Sequence, residues 1–295
     1  MGHQPMESSS GRYVLSYNGE IYNFRLLQKE LRQLGYGFNG HSDTEILLAA
    51  IECWGIDKAL KRFFGMFAFA LWDKEKSELT LARDRIGEKP LYYGWQGQSL
   101  LFGSELKALQ RCPHWQGEID REALTLLMRH NYVSTPYSIY QGIRKLVPGT
   151  YVQFNSKTHL GEMPAALTYW SLNEVAKEGV SNPYQFNDTE AQAELDRLLS
   201  ETIQDQMVSD VPLGAFLSGG VDSSLVVALM QAASSQKVQT FSIGFHEADY
   251  NEAGYAKAVA SHLGTEHTEF YLNSEEALGM IPQLSRLYDE PFADS

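Results

Sequence analysis

The apolar residues of this chain are punctuated in two different ways, and the change between them limits the fold more than any other feature. Residues 12–154 read mainly as short strands separated by Gly-rich or charged turns, with helices set between them. "RYVLSYNGEIYN" suggests a strand, a turn at Asn18-Gly19 and a short continuation. "NFRLLQKELRQL" has helical spacing and stops at Gly35, and "HSDTEILLAAIECWG" opens with Ser42 and Glu45 spaced as a capping box. "GMFAFALWD" and "SELTLARD" read as strands joined at Lys74-Glu75-Lys76, "LYYGWQ" and "LLFGSE" as another pair, and "GTYVQF" as a closing strand after helical segments from about residue 106. Residues 155–190 lose periodicity and hold the expected domain linkage. Beyond them strands alternate with helices: "TEAQAELDRLLSETIQDQM", "PLGAFL", "SSLVVALMQAA", "QTFSIGF" and "NEAGYAKAVASHLG". That order suits a parallel sheet, whereas the first half suits antiparallel strands. The fold class is therefore α+β followed by α/β.

A chain of 295 residues has room for about two domains. Its 43% apolar content fits a packed protein, and a formal net charge of −13 argues against a nucleic-acid surface. Cys53 and Cys112 are too few for a disulfide framework, and the eight histidines show no metal-ligand spacing. No apolar run reaches the roughly 18 residues of a membrane span, and the polar start does not resemble a secretory signal, so the expected compartment is the cytoplasm, without membrane contact.

"FLSGGVDSSL" lies between an expected strand and an expected helix. Gly219 and Gly220 have no side chains to block an approaching phosphate, while Ser218, Ser223 and Ser224 can donate hydrogen bonds. The helix start adds unpaired N–H groups and the positive end of its dipole. Asp222 alone would repel phosphate, so its useful role is to bind Mg²⁺ bridging phosphate oxygens. The alternative is an ordinary Gly-Gly turn with Ser223 as N-cap.

The stretch resembles the SGG[VL]DSS signature of the ATP pyrophosphatase family, which cleaves ATP to AMP and pyrophosphate. By that resemblance ATP contacts Leu217, Ser218, Gly219, Gly220, Asp222, Ser223 and Ser224, together with the backbone of Ile243, whose side chain can equally be a plain buried strand residue. Upstream, "NGEIYN", "HSDTE", "GMFAFALWD", "ARDRIGEKPLYYG" and "SELKAL" resemble, in order and spacing, the glutamine amidotransferase domain of the glutamine-hydrolysing asparagine synthetases. The resemblance covers nearly the whole chain. It implies an Ntn-type αββα amidotransferase domain over residues 1–170, a linker over 171–190 and an ATP pyrophosphatase-type synthetase domain over 191–295.

In that family Asn18 and Gly19 match the oxyanion donors, an arrangement suited to the tetrahedral intermediate of amide hydrolysis. Asp43, with Glu20 close by, matches the partner of glutamine's α-ammonium, although Asp43 could also serve the helix start alone. "ARDRIGEKP" reads more simply as a charged turn than as a substrate contact. The family nucleophile is an N-terminal cysteine, which this sequence lacks, and a later Ser-Gly-x-Gly-x-Asp-Glu stretch does not appear. The chain is thus expected to be part of a longer protein, inactive by itself as a glutaminase.

The implied activity is ATP-dependent synthesis of asparagine from aspartate and glutamine through a β-aspartyl-adenylate, with Mg²⁺ as cofactor and a homodimer as the assembly that the resemblance allows. The alternatives are amidation of a sugar acid in surface-polysaccharide synthesis, a β-lactam-forming relative, and a catalytically silent nucleotide-binding protein.

Overall fold

The computed structural model describes residues 3–209, 211–245 and 252–293. They form two compact units, one running to Pro183 and resuming at Ser285, the other spanning Tyr184–Leu284.

In chain order the first unit contains β1 (Met6–Glu7), β2 (Tyr13–Ile21), α1 (Phe24–Gln33), α2 (Asp43–Trp54), α3 (Ile56–Arg62), β3 (Gly65–Asp73) and β4 (Glu78–Arg83). It continues with β5 (Tyr92–Gln96), β6 (Ser99–Gly103), α4 (Leu106–Leu109), α5 (Arg121–His130), β7 (Ile143–Lys145), β8 (Thr150–Phe154), β9 (Leu167–Thr168) and α6 (Leu172–Ser181). One antiparallel sheet has the order β1-β2-β3-β4-β8-β9, and a second has the order β6-β5-β7.

Strand alternation sends side chains to opposite faces and so builds layers. Leu15, Tyr17 and Ile21 on β2 join Phe67, Phe69 and Leu71 on β3 beneath α1, α2 and α3. The intervening Ala68 and Ala70 face the other way and meet Tyr93 of the second sheet, with Leu91 and Leu146 at its strand ends. That sheet's far side, through Tyr92 and Ile143, packs on Leu106, Leu109 and Ala123 from α4 and α5. The result is the αββα layering implied by the resemblance.

Two local expectations change. Asn18-Gly19 does not turn: β2 runs straight and pairs with β3 from Tyr13↔Asp73 to Ile21↔Gly65. Nine paired residues with a buried face outweigh the Asn-Gly turn preference. Gly19 is required instead by close approach, because a Cβ there would lie 2.2 Å from the Met66 carbonyl oxygen. The capping box does not form, although Ser42 caps the helix. Ser42 Oγ accepts from Thr44 N at 3.2 Å, but the Glu45 carboxylate accepts from Asn39 N and Gly40 N at 2.8 and 2.9 Å, closing the preceding loop. The segment expected as a linker, residues 171–190, contains α6 and the beginning of the next helix, and the two units divide within it after Pro183.

The second unit contains α7 (Asp188–Gln206), β10 (Gly214–Phe216), α8 (Val221–Ala233), β11 (Gln239–Phe245), α9 (Ala253–Leu263), β12 (Glu266–Leu272) and α10 (Ser274–Met280), and α11 (Leu284–Leu287) follows. The order β10-β11-β12 is parallel throughout, as strand-helix alternation requires. Leu217 and Val227 pack on Ala256 and Ala260 of α9. Asn251, the first residue of the helix expected there, lies outside the described residues.

Candidate functional site

The amidotransferase-like residues gather at the edge of β2. Asp84 N donates to Phe67 O at 2.8 Å and Phe67 N to the Asp84 carboxylate at 3.2 Å, so the polar backbone groups of Phe67 point toward β4. Gly19 lies opposite Phe67, and antiparallel alternation therefore turns the Gly19 N–H away from β3. Its neighbours on that outer edge are occupied: Tyr17 N donates to Gln4 Oε1 at 2.6 Å, and Ile21 N to Asp43 Oδ2 at 2.9 Å. Among the described residues β1 pairs with Val14 and Leu15 alone, which leaves the Gly19 N–H between these two bonds without a strand partner there.

Asp43 is the first residue of α2, yet its carboxylate serves the strand. Oδ2 also accepts from the Tyr17 hydroxyl at 2.6 Å. Burial, followed by the charge and hydrogen bond of Asp43, pushes the Tyr17 phenol far above its usual range and keeps it a donor. Capping falls to Ser42, so Asp43 is not confined to the helix start. Asp43 therefore meets β2 from the helical side, at Tyr17 and Ile21, whereas strand alternation sends the Asn18 and Glu20 side chains to the opposite face. Burial and then the charges of Glu88, Glu20 and Asp84 push the Tyr22 phenol up to about 12.

Tyr17, Tyr22 and Glu88 were not singled out in the sequence; nor was Ser104, whose Oγ accepts from Asn18 Nδ2 at 3.0 Å. The alternation that buries Tyr17 beside Leu15 was the available signal for the first, while the others depend on distant chain segments. Cys53 is half-buried against the helical core beside Tyr36, and Cys112 lies in the turn after α4.

In the second unit, α8 begins at Val221 with Gly220 as N-cap and no side-chain cap bond. Ser223 therefore does not cap the helix. Its Oγ lies 3.0 Å from Ser218 Oγ and accepts from Ser218 N at 3.3 Å, folding the loop onto itself. Gly219 has φ +82°, and a Cβ there would lie 2.7 Å from Ala256 N, so both conformation and packing call for glycine. Leu217 is buried and its N–H donates to Phe241 O at 2.8 Å, anchoring the loop to β11. Ile243 is not a buried strand residue: it is 52% exposed on the open face of the sheet, whose other face is covered by the helices. Asp222 sits exposed in the first turn of α8, and Ser224 Oγ is buried without a hydrogen-bond partner among the described residues. No group of three or more His, Cys, Asp or Glu residues suited to a metal occurs among the described residues.

Two family profiles match these two regions. Residues 1–170 match the glutamine amidotransferase domain, and residues 194–295 match asparagine synthase. The chain belongs to the family that joins these two domains. Asparagine synthetase [glutamine-hydrolyzing] 1 of Bacillus subtilis is 35% identical over 99% of this chain and 44% of its own length. A putative asparagine synthetase of Methanocaldococcus jannaschii is 33% identical over 99% of this chain and 57% of its own length. Asparagine synthetase B of Escherichia coli is 29% identical over 95% and 45% respectively. The chain thus spans about half the length of these relatives.

Within this glutamine amidotransferase–asparagine synthase chain, "ARDRIGEKP" is a self-supporting turn. The fully buried Asp84 carboxylate accepts from the backbone N–H groups of Phe67, Ile86, Gly87, Glu88 and Lys89. Arg83 donates to the carbonyls of Lys89, Leu146 and Gly87 at 2.7–2.8 Å, and burial lowers its pKa. These bonds tie the turn to the second sheet.

Proposed function

We propose that the chain carries the glutamine site and the ATP site of a glutamine-dependent asparagine synthetase. The observation that carries this reading is the Gly19 N–H at the open edge of β2, flanked by Asp43's bonds to Tyr17 and Ile21. An oxyanion donor and an acid for the α-ammonium then lie at one strand edge, as a glutaminase requires. Asn18 supplies the second donor, and Glu20 adds negative charge near Asp43. The nucleophile is the N-terminal cysteine implied by the family resemblance, a role given to neither Cys53 nor Cys112.

The second unit's loop would take the phosphates of ATP, with Leu217 and Ile243 contributing backbone contacts to the nucleotide. Ser218, Gly219, Gly220, Ser223 and Ser224 line the phosphate path, and the uncapped start of α8 offers N–H groups. Mg²⁺ fits this donor set as an ion held chiefly by phosphate oxygens, with Asp222 as a single hard carboxylate ligand. When bound, it offsets charge on the leaving pyrophosphate. Aspartate is the proposed acceptor, activated as a β-aspartyl-adenylate and converted to asparagine by ammonia.

The test compares nitrogen sources in the full-length enzyme. Asn18→Ala is expected to lower glutamine-dependent turnover by about 10²-fold, as for loss of an oxyanion donor, with ammonia-dependent synthesis nearly intact. Equal loss of both activities would remove Asn18 from the glutaminase site.

A further inference from the structure

Ser104 Oγ accepts a hydrogen bond from Asn18 Nδ2 at 3.0 Å, across 86 residues of sequence. Its backbone is held from both directions. Before it, Gly103 ends β6 opposite Tyr92, and a Cβ on Gly103 would lie 2.7 Å from Leu109 Cδ1, so β6 and α4 are closely packed there. After it, Leu106 is fully buried and its N–H donates to Asp289 Oδ2 at 2.8 Å, while Lys107 N reaches Asp289 Oδ1 at 3.3 Å. The hydroxyl therefore projects from a fixed stretch of chain. Asn18, by contrast, is exposed, on the sheet face opposite the helical layer.

An amide donor helps an oxyanion only if its N–H is already in place when charge develops. Asn carries two N–H hydrogens, and an acceptor on one of them restrains the group while leaving the other available. We propose that Ser104 is a positioning residue, which holds the Asn18 amide at the edge of β2 for the glutamine oxyanion. The inference rests on Asn18 acting as proposed above.

The experiment is a double-mutant cycle in the full-length enzyme, with glutamine-dependent kcat and KM measured and ammonia-dependent synthesis as internal reference. Ser104→Ala should lower glutamine-dependent kcat about five- to tenfold at nearly unchanged KM, the size expected for losing one orienting hydrogen bond. Ser104→Thr, which keeps the hydroxyl, should recover most of the rate. Added to Asn18→Ala, Ser104→Ala should cost nothing further. A Ser104→Ala enzyme with parental kcat overturns the inference, as does an effect on KM alone or full additivity with Asn18→Ala. An Asn18→Ala enzyme with parental glutamine turnover overturns the site reading as well, which separates the two failures.

Discussion

The Glu290 carboxylate pairs with the Lys145 ammonium in the interior of the first unit, where the two side chains are only 9% and 16% exposed. Glu290 Oε1 also accepts from Ile139 N at 2.7 Å, and Lys145 Nζ donates to the Val133 carbonyl. Burial, then the charges of Glu290 and Asp289, push the neighbouring Tyr92 phenol upward. Residues 289 and 290 fall within the match to asparagine synthase, yet they bond to β7 and α4 of the amidotransferase unit.

Removing one partner of such a pair strands the other's charge. Lys145→Met should destabilise the first unit by about 3 kcal/mol, seen as a lower thermal midpoint, and Lys145→Met with Glu290→Gln should recover part of it. A single variant as stable as the parent would show that solvent already screens the pair.

Gly19→Ala puts a methyl group 2.2 Å from Met66 O and 2.6 Å from Phe67 Cα, both backbone atoms. The strands must separate. Overpacking of this kind costs about 1–3 kcal/mol, and it also displaces the proposed oxyanion N–H. Denaturant midpoint and glutamine-dependent rate should fall together, whereas Gly35→Ala, where no atom lies within 4 Å but φ is +93°, should affect stability alone.

Acid should weaken the pairing of Arg12 with Asp73, whose bonds measure 3.0 Å from Nε and 2.6 Å from Nη2. Burial acts to raise the Asp73 pKa, but the Arg12 hydrogen bond, the backbone N–H groups of Lys76 and Glu75, and the Arg12 charge outweigh it and lower the value. A carboxylate with a depressed folded pKa contributes its full stability above its unfolded value of about 3.9, and loses it as pH falls through the folded value. The stability gap between parent and Asp73→Asn should be constant above about pH 5 and close below pH 4. A gap independent of pH down to acid unfolding would assign the effect to packing.

Asp222→Asn keeps the shape of the α8 start but removes its one acidic first-turn residue. Pyrophosphate release, measured with aspartate and ammonia across a Mg²⁺ titration, should need more Mg²⁺ and reach a lower rate. Parental behaviour at every Mg²⁺ concentration would leave Asp222 as a helix-start residue only.

Much of the architecture was legible in the order of short apolar runs. Alternation in "GMFAFALWD" and in "QTFSIGF" marked β3 and β11, and glycine with serine between a strand and a helix marked the loop at 218–224. These features are local: a period of two or 3.6 residues records which face of a segment is buried, and Gly219's positive φ is a property of its own backbone. β12 was missed because "EHTEFYL" alternates weakly and leaves most of its side chains at least partly exposed.

The sequence by itself determined the two kinds of sheet and the chemical identity of the groups at each loop, because burial pattern and side-chain type are written residue by residue. Only the tertiary structure decided what those groups do to one another. Asn18-Gly19 could have turned, and it stays in a strand because β3 pairs along its whole length. Asp43 could have served its own helix, and it binds Tyr17 across 26 residues. Ser104 meets Asn18, and Glu290 meets Ile139, across 86 and 151 residues. Such partners are chosen when layers stack, since a buried polar group takes whichever complementary group the packing brings within about 3 Å.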